Sequence, residues 1–422
     1  MIADIPVGNV RRVAGAKGVC PLVAGGFREV SVIERRTVFK AALAAGAALV
    51  AAACSSENGG TALPTGAANA DGEGGAQPVA KVTAEPAADA KDVSVLKPVV
   101  LKVADGKLTE CKVTAGGKEL KGDTAPDGLT WTSSEPLGYG KTYTYAAKAT
   151  GNDGKPVQFT GSFTTINPAT QVRATLNPAD NAQVGVAMPI SVKFASPVKD
   201  RKAVEKALSV KTDKEVEGAW GWLSDKQVDY RPKEYWPQNI TVSVEAKLYG
   251  VELGGGAYGK ADVTTKFKIG RNQVVKVNTP DHQMRVYRNG AQVKSYPCAN
   301  GLDAEVDRNT PNGTYIIMTK EPTAVFDNAR YGYTNINKKW ACRFSNHGEY
   351  IHENQDNAAH IGRDNNSHGC VNLLEADAKD YFDSALIGDP VEITGSKLAP
   401  PMASDVKNWN YDWKTWQSLG AK

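Results

Sequence analysis

The 422-residue sequence predicts a mainly β protein, with two small β-sandwich modules, a third β-rich domain with one short helix, and a tryptophan-rich tail. Three observations predict it. Short runs of alternating polarity recur, as in Thr142-Tyr143-Thr144-Tyr145-Ala146-Ala147-Lys148-Ala149. Clusters such as Ala104-Asp105-Gly106 and Ala115-Gly116-Gly117 punctuate those runs as turns. The best helical spacing in the third domain follows Leu374, where Ala378, Tyr381, Phe382 and Ala385 recur on one face.

The elements follow in chain order. Residues 1–53 read as a signal segment. Arg35-Arg36 precede an apolar run from Ala41 to Ala53, too short for the ~20 residues that cross a bilayer. The run ends in Ala51-Ala52-Ala53-Cys54, which resembles a bacterial lipobox with Cys54 as the lipidated residue. Arg35-Arg36-Thr37-Val38-Phe39-Lys40 resembles a twin-arginine signal, with an ordinary basic leader as the alternative. Residues 54–92 are rich in Gly, Ala, Pro, Asp and Glu and read as a disordered linker.

Residues 93–168 and 169–270 read as the two sandwich modules. The first closes on Gln158-Phe159-Thr160-Gly161-Ser162-Phe163 and the second on Val263-Thr264-Thr265-Lys266-Phe267. Neither carries a cluster of chemistry-bearing residues, so both read as spacers. Residues 271–395 form the third domain. In it Asn289-Gly290 marks a hairpin, Gly348 to His352 a strand, and Asp389-Pro390-Val391-Glu392-Ile393 a closing strand. The tail, 396–422, gathers Trp409, Tyr411, Trp413 and Trp416; such a cluster is expected to dock on the third domain or on a β-module.

Charge narrows the possible partners. The chain has 50 Lys and Arg against 46 Asp and Glu. Seven of the basic and three of the acidic residues lie before Cys54, which leaves 43 of each in the remainder. A neutral chain has no broad basic field for nucleic acid, and any membrane contact would run through a lipid anchor. After Cys20 and Cys54, four cysteines remain, too few and too scattered for a disulfide scaffold. Cys298 and Cys342 would pair in an oxidising compartment or stay as buried free thiols.

All five histidines lie between 282 and 368. His352 is followed, after fourteen residues, by Ser367-His368-Gly369-Cys370-Val371-Asn372. A cysteine flanked by Gly and His, just upstream of a helix, is placed for a low-pKa thiolate with an imidazole to take its proton. Backbone N–H groups at a strand-to-helix turn would serve as an oxyanion hole. Zinc ligation by His360, His368 and Cys370 is the alternative, but no second nearby cysteine accompanies them. His282 and His347 have no motif role.

The stretch resembles the signature of the L,D-transpeptidase (YkuD-type) family, His-x14-[Ser/Thr]-His-Gly-Cys-apolar-Asn, and matches every defined position. Thr310-Pro311-Asn312-Gly313-Thr314-Tyr315 is similar to a further family segment, and the two upstream modules and the tail to its mycobacterial branch. The resemblance implies two immunoglobulin-like β-sandwich domains followed by a YkuD-type β-sandwich catalytic domain. It implies Cys370 as nucleophile and His352 as base, oriented by the carbonyl of Glu353. It implies His368 and Gly369 beside the oxyanion hole, with Ser367 and Asn372 as loop braces. Tyr333, or Tyr331 instead, would complete that hole, and Arg343 would meet a substrate carboxylate.

The implied reaction is 3→3 cross-linking of peptidoglycan. A tetrapeptide stem acylates the cysteine with loss of D-Ala, a second stem accepts the acyl group, and no cofactor or metal is needed. Carbapenem-type β-lactams would be inhibitors. An exported, lipid-anchored enzyme at the outer face of the plasma membrane is implied. The rival readings are an L,D-carboxypeptidase, a protein-to-wall ligase with the same thiol, and a non-catalytic wall-binding lipoprotein.

Overall fold

The computed structural model describes residues 79–404 and 406–422. The leader, with its twin arginines and Cys54, lies outside the described residues. The first module packs two four-stranded sheets around one core. One holds Lys81–Glu85, Val100–Ala104, Thr130–Ser133 and Gly122–Thr124; the other is built on Gly106–Ala115, Thr142–Gly151 and Pro156–Thr164. Thr142–Gly151 alternates exposed and buried at every position, so Tyr143, Tyr145, Ala147 and Ala149 all face inward. The expected linker is shorter than its composition suggested. Lys81–Glu85 pairs antiparallel with Val100–Ala104, and Val82 is buried. Its Val82/Ala84 alternation is hidden among Ala, Pro and Lys, which are poor strand signals.

The second module has the same architecture. Ile190–Phe194 and Gln227–Pro232 centre one sheet, Val263–Ile269 and Thr241–Ala246 the other. Two tyrosines join the modules. Tyr139 donates to the Gly259 carbonyl at 2.8 Å and accepts from the Gly250 N–H at 2.8 Å. Tyr249 donates to the Leu137 carbonyl at 2.5 Å and its ring lies 4.9 Å from that of Tyr139.

The third domain is built on a five-stranded sheet and a four-stranded sheet. The first runs in the order Ala291–Pro297, Gln283–Arg288, Gln273–Asn278, Pro390–Thr394, Gly313–Ile316. The second runs Thr319–Asn328, Tyr333–Arg343, Tyr350–Glu353, Val371–Leu373. Helix Glu375–Ser384 buries Ala378 and Tyr381 in the shared core. Cys298 and Cys342 are free, fully buried thiols of that core, and burial pushes each up to about 12. The disulfide alternative therefore gives way to two apolar fillers.

The tail docks on the second module. Trp416 is fully buried and donates to the Ala219 carbonyl at 3.0 Å; Trp409 donates to the Ala187 carbonyl at 2.7 Å. The Arg231 guanidinium lies over the rings of Trp409, Trp413 and Trp416 at 4.7, 5.3 and 5.2 Å. The third domain is also tied to that module by main chain. Gly185 N–H donates to Ile387 at 2.7 Å and Ala187 N–H to Gly388 at 3.0 Å. A side chain at Gly185 would put its Cβ 2.2 Å from the Asp389 nitrogen, so only glycine permits this approach.

Candidate active site

The site is organised by one parallel strand pair. Tyr350–Glu353 and Val371–Leu373 pair with Ile351 opposite Val371, His352 opposite Asn372, and Glu353 opposite Leu373. Ile351, Val371 and Leu373 point into the core and are fully buried. Alternation then sends His352, Asn372 and Cys370 to the other face. This corrects the expected helix start. A buried strand separates Cys370 from helix Glu375–Ser384, so no helix dipole acts on the thiol. Burial instead pushes the Cys370 thiol up to about 12, and the Glu349 carboxylate adds to the rise. The Gly348 carbonyl accepts from Sγ at 3.7 Å.

His352 is buried, and that desolvation lowers its imidazole to about 4, with the Lys338 ammonium adding to the drop. It is neutral at pH 7, and its tautomer follows from its neighbours. Nδ1 lies 2.5 Å from the Glu353 carbonyl, an acceptor only, so Nδ1 carries the hydrogen. Nε2 therefore offers its lone pair, as the resemblance implied. Asn372 fixes that side. Its Oδ1 accepts from Asn354 at 2.8 Å and from Asn357 at 3.2 Å, which turns its Nδ2 toward His352 Nε2 at 3.3 Å.

The loop before Cys370 is held from both ends. Ser367 Oγ donates to the Cys370 carbonyl at 2.7 Å and accepts from the Gly369 N–H at 3.2 Å. That N–H is thereby engaged and is not a free oxyanion donor. Gly369 serves the loop through its backbone, at φ +112°, where L side chains are strained. Thr310 Oγ1 donates to the Gly369 carbonyl at 2.9 Å and accepts from Gly301 N–H at 2.9 Å. Arg308 donates to the carbonyls of Asn366 and Ser367 at 3.1 and 3.2 Å. His368 is exposed; its ring packs 4.3 Å from that of Tyr331 and 5.5 Å from that of Tyr333.

A cavity of about 250 Å³ lies over the pair, lined by Cys370, His352, His368 and Tyr333 among others. Phe326 and Ile336 are apolar members of its lining, and Lys338, Asn354, Asn357 and Asn366 polar ones. Tyr333 feels the Cys370 thiol, and burial raises its hydroxyl pKa. Tyr331 does not line the cavity; it is the last residue of the Ala329–Tyr331 turn, and its ring packs on that of His368. Arg343 does not line it either. Its guanidinium donates to the carbonyls of Ser345 and Asn346, at 2.8 and 3.3 Å, bracing a turn in place of meeting substrate. The Glu353 carboxylate is buried and accepts from the N–H groups of Lys339 and Gln355, at 3.2 and 3.1 Å. His360 pairs with Asp364 at 2.8 Å, and His282 with Asn365 at 3.0 Å. Among the described residues no three His, Cys, Asp or Glu side chains gather as metal ligands. Arg308, Lys338, Phe326 and the asparagines 354, 357 and 366 had no reading in the sequence, because no local motif carries them.

Comparison with known proteins gives the domain types and the family. Residues 90–252 match the model of a bacterial Ig domain, and residues 272–393 that of the L,D-transpeptidase catalytic domain. The chain is 41% identical over 351 residues to L,D-transpeptidase 5 of Mycobacterium tuberculosis, covering 82% of this chain and 78% of that protein. It is 33% identical over 355 residues to L,D-transpeptidase 2 of the same species, covering 82% of this chain and 86% of that protein. A solved structure of LD transpeptidase LdtMt1 in complex with imipenem is 32% identical, covers 54% of this chain and 100% of that one, and has a TM-score of 0.46. The chain belongs to the L,D-transpeptidase family of cysteine-dependent acyltransferases.

Proposed function

We propose that the protein cross-links peptidoglycan stems 3→3, with Cys370 as nucleophile and His352 as general base. The observation that carries this reading is that a neutral imidazole, with Nε2 as its acceptor nitrogen, and the Cys370 thiol line one cavity. With the thiol near 12 and the imidazole near 4, the resting pair is uncharged. His352 Nε2 releases the Asn372 amide and takes the thiol proton as Sγ attacks the carbonyl that precedes the terminal D-Ala. The oxyanion so formed accepts from the Cys370 N–H and the Tyr333 hydroxyl. Collapse breaks the C–N bond, His352 returns the proton to the departing amine, and a thioester remains. The side-chain amine of a second stem then attacks the thioester, loses its proton to His352, and restores the thiol.

Family membership supports this reaction, and also acylation of Cys370 by carbapenem-type β-lactams. The leader sequence supports an exported enzyme anchored through Cys54 to the outer face of the membrane. Metabolic labelling with a radioactive fatty acid, lost in Cys54→Ala, tests the anchor. The activity is tested by incubating the protein with synthetic stem tetrapeptide and weighing the products. Cross-linked dimer plus free D-Ala is expected. Free D-Ala without dimer would mean that water is the acceptor and the enzyme a carboxypeptidase.

A further inference from the structure

The cavity that holds Cys370 and His352 has one cation in its wall, and the steps above do not use it. Lys338 lies on strand Tyr333–Arg343, and its side chain is only 12% exposed. Its ammonium donates to Asn354 Oδ1 at 2.7 Å and to Asp356 Oδ2 at 3.1 Å. The Asp356 side chain is 92% exposed, so water screens that pair and holds it loosely. An ammonium has three hydrogens to donate, and two are engaged. Beside it, the amides of Asn357 and Asn366 line the same polar wall.

We propose that Lys338 binds the terminal carboxylate of the donor stem, the carboxylate of the residue that leaves. The inference rests on the reading of this cavity as the donor site. The argument is geometric. His352 must reach the amine of the leaving residue in order to return its proton. The carboxylate carbon of that residue lies two bonds beyond the amine, about 2.5 Å away. A carboxylate there falls close to the imidazole, and Lys338 is the cation that lines the same cavity. Its charge is felt at His352. The Lys338 side chain is itself mostly out of water, where a charged hydrogen bond counts for more. A donor with an amide in place of the carboxylate would leave the ammonium without its partner. Lys338 is thus a specificity-determining residue that selects stems ending at the leaving D-Ala.

The test is calorimetry on the full chain carrying Cys370→Ala, so that binding is read without turnover. The probes are a synthetic stem tetrapeptide with a free terminal carboxylate and the same peptide as its terminal carboxamide. The acid should bind roughly 10- to 100-fold more tightly than the amide. Adding Lys338→Met, which keeps the length of the side chain, should bring that ratio close to one, and Lys338→Arg should keep most of it. A preference for the acid that survives Lys338→Met would overturn the assignment. Equal weakening of both peptides would also overturn it, by reducing Lys338 to a structural role. If neither peptide binds while carbapenem still acylates the unmodified protein, the donor-site reading of the cavity falls and takes the subsite with it.

Discussion

The floor of the cavity and the hairpin over it are built to different standards. In the floor, Ile351, Val371 and Leu373 are fully buried, and His352 and Asn372 nearly so. Each polar atom there is aimed by a second one, as Asn354 and Asn357 aim Asn372 and the Glu353 carbonyl aims His352. The hairpin of Thr319–Asn328 and Tyr333–Arg343 exposes Val325 by 59% and Ile336 by 41%. The contrast teaches where precision is needed. Proton transfer tolerates little displacement, and His352 sits on a paired, buried strand with Cys370 directly before its partner strand. The exposed hairpin carries Tyr333 and Lys338, which in the proposed reaction meet substrate.

Substitutions in the two regions should therefore separate. His352→Ala removes the base and should lower kcat/KM for dimer formation by ~10²–10⁴-fold. Tyr333→Phe removes one oxyanion donor and should lower kcat by ~10²-fold, while Tyr331→Phe should have little effect. Equal losses from the two tyrosines would mean that the hairpin acts through shape alone. Asn372→Ala removes one hydrogen-bond partner each from the Asn354 amide, the Asn357 amide and the imidazole. It should cost about 1–3 kcal/mol in a thermal or denaturant melt, with a smaller loss of rate than His352→Ala.

The pH profile sharpens the same contrast. His352 works only when neutral, so kcat/KM should climb as pH rises through about 4 and stay level through neutrality. The thiol, held up to about 12, should react slowly with iodoacetamide at pH 7, and the rate should rise about tenfold per pH unit above it. An acid limb at pH 6–7, with fast alkylation at neutrality, would instead indicate a thiolate–imidazolium pair.

The sequence made the floor legible more fully than its surroundings. The stretch from His352 to Asn372 carries both reacting groups within 21 residues, and a strand pair brings its ends together. The reason for the thiol's placement was less legible. Val371-Asn372-Leu373 is too short to show a strand period, so the helix after it looked adjacent to Cys370. Lys338, Arg308 and Thr310 reach the site from distant loops and strands, and only tertiary pairing brings them there. Arg343 misled for a related reason. Its position on the strand before His352 was right, but turn carbonyls nearby satisfy its guanidinium. The tail was readable as a docking element from its tryptophans, whereas its partner, Arg231 on the second module, had no local signal.

The central claim is that Cys370 is the acylated residue. Intact-mass analysis after incubation with a carbapenem, on the unmodified chain and on Cys370→Ala, tests it directly. One adduct per chain on the unmodified protein and none on Cys370→Ala is the predicted result. An adduct that persists in Cys370→Ala would contradict the assignment.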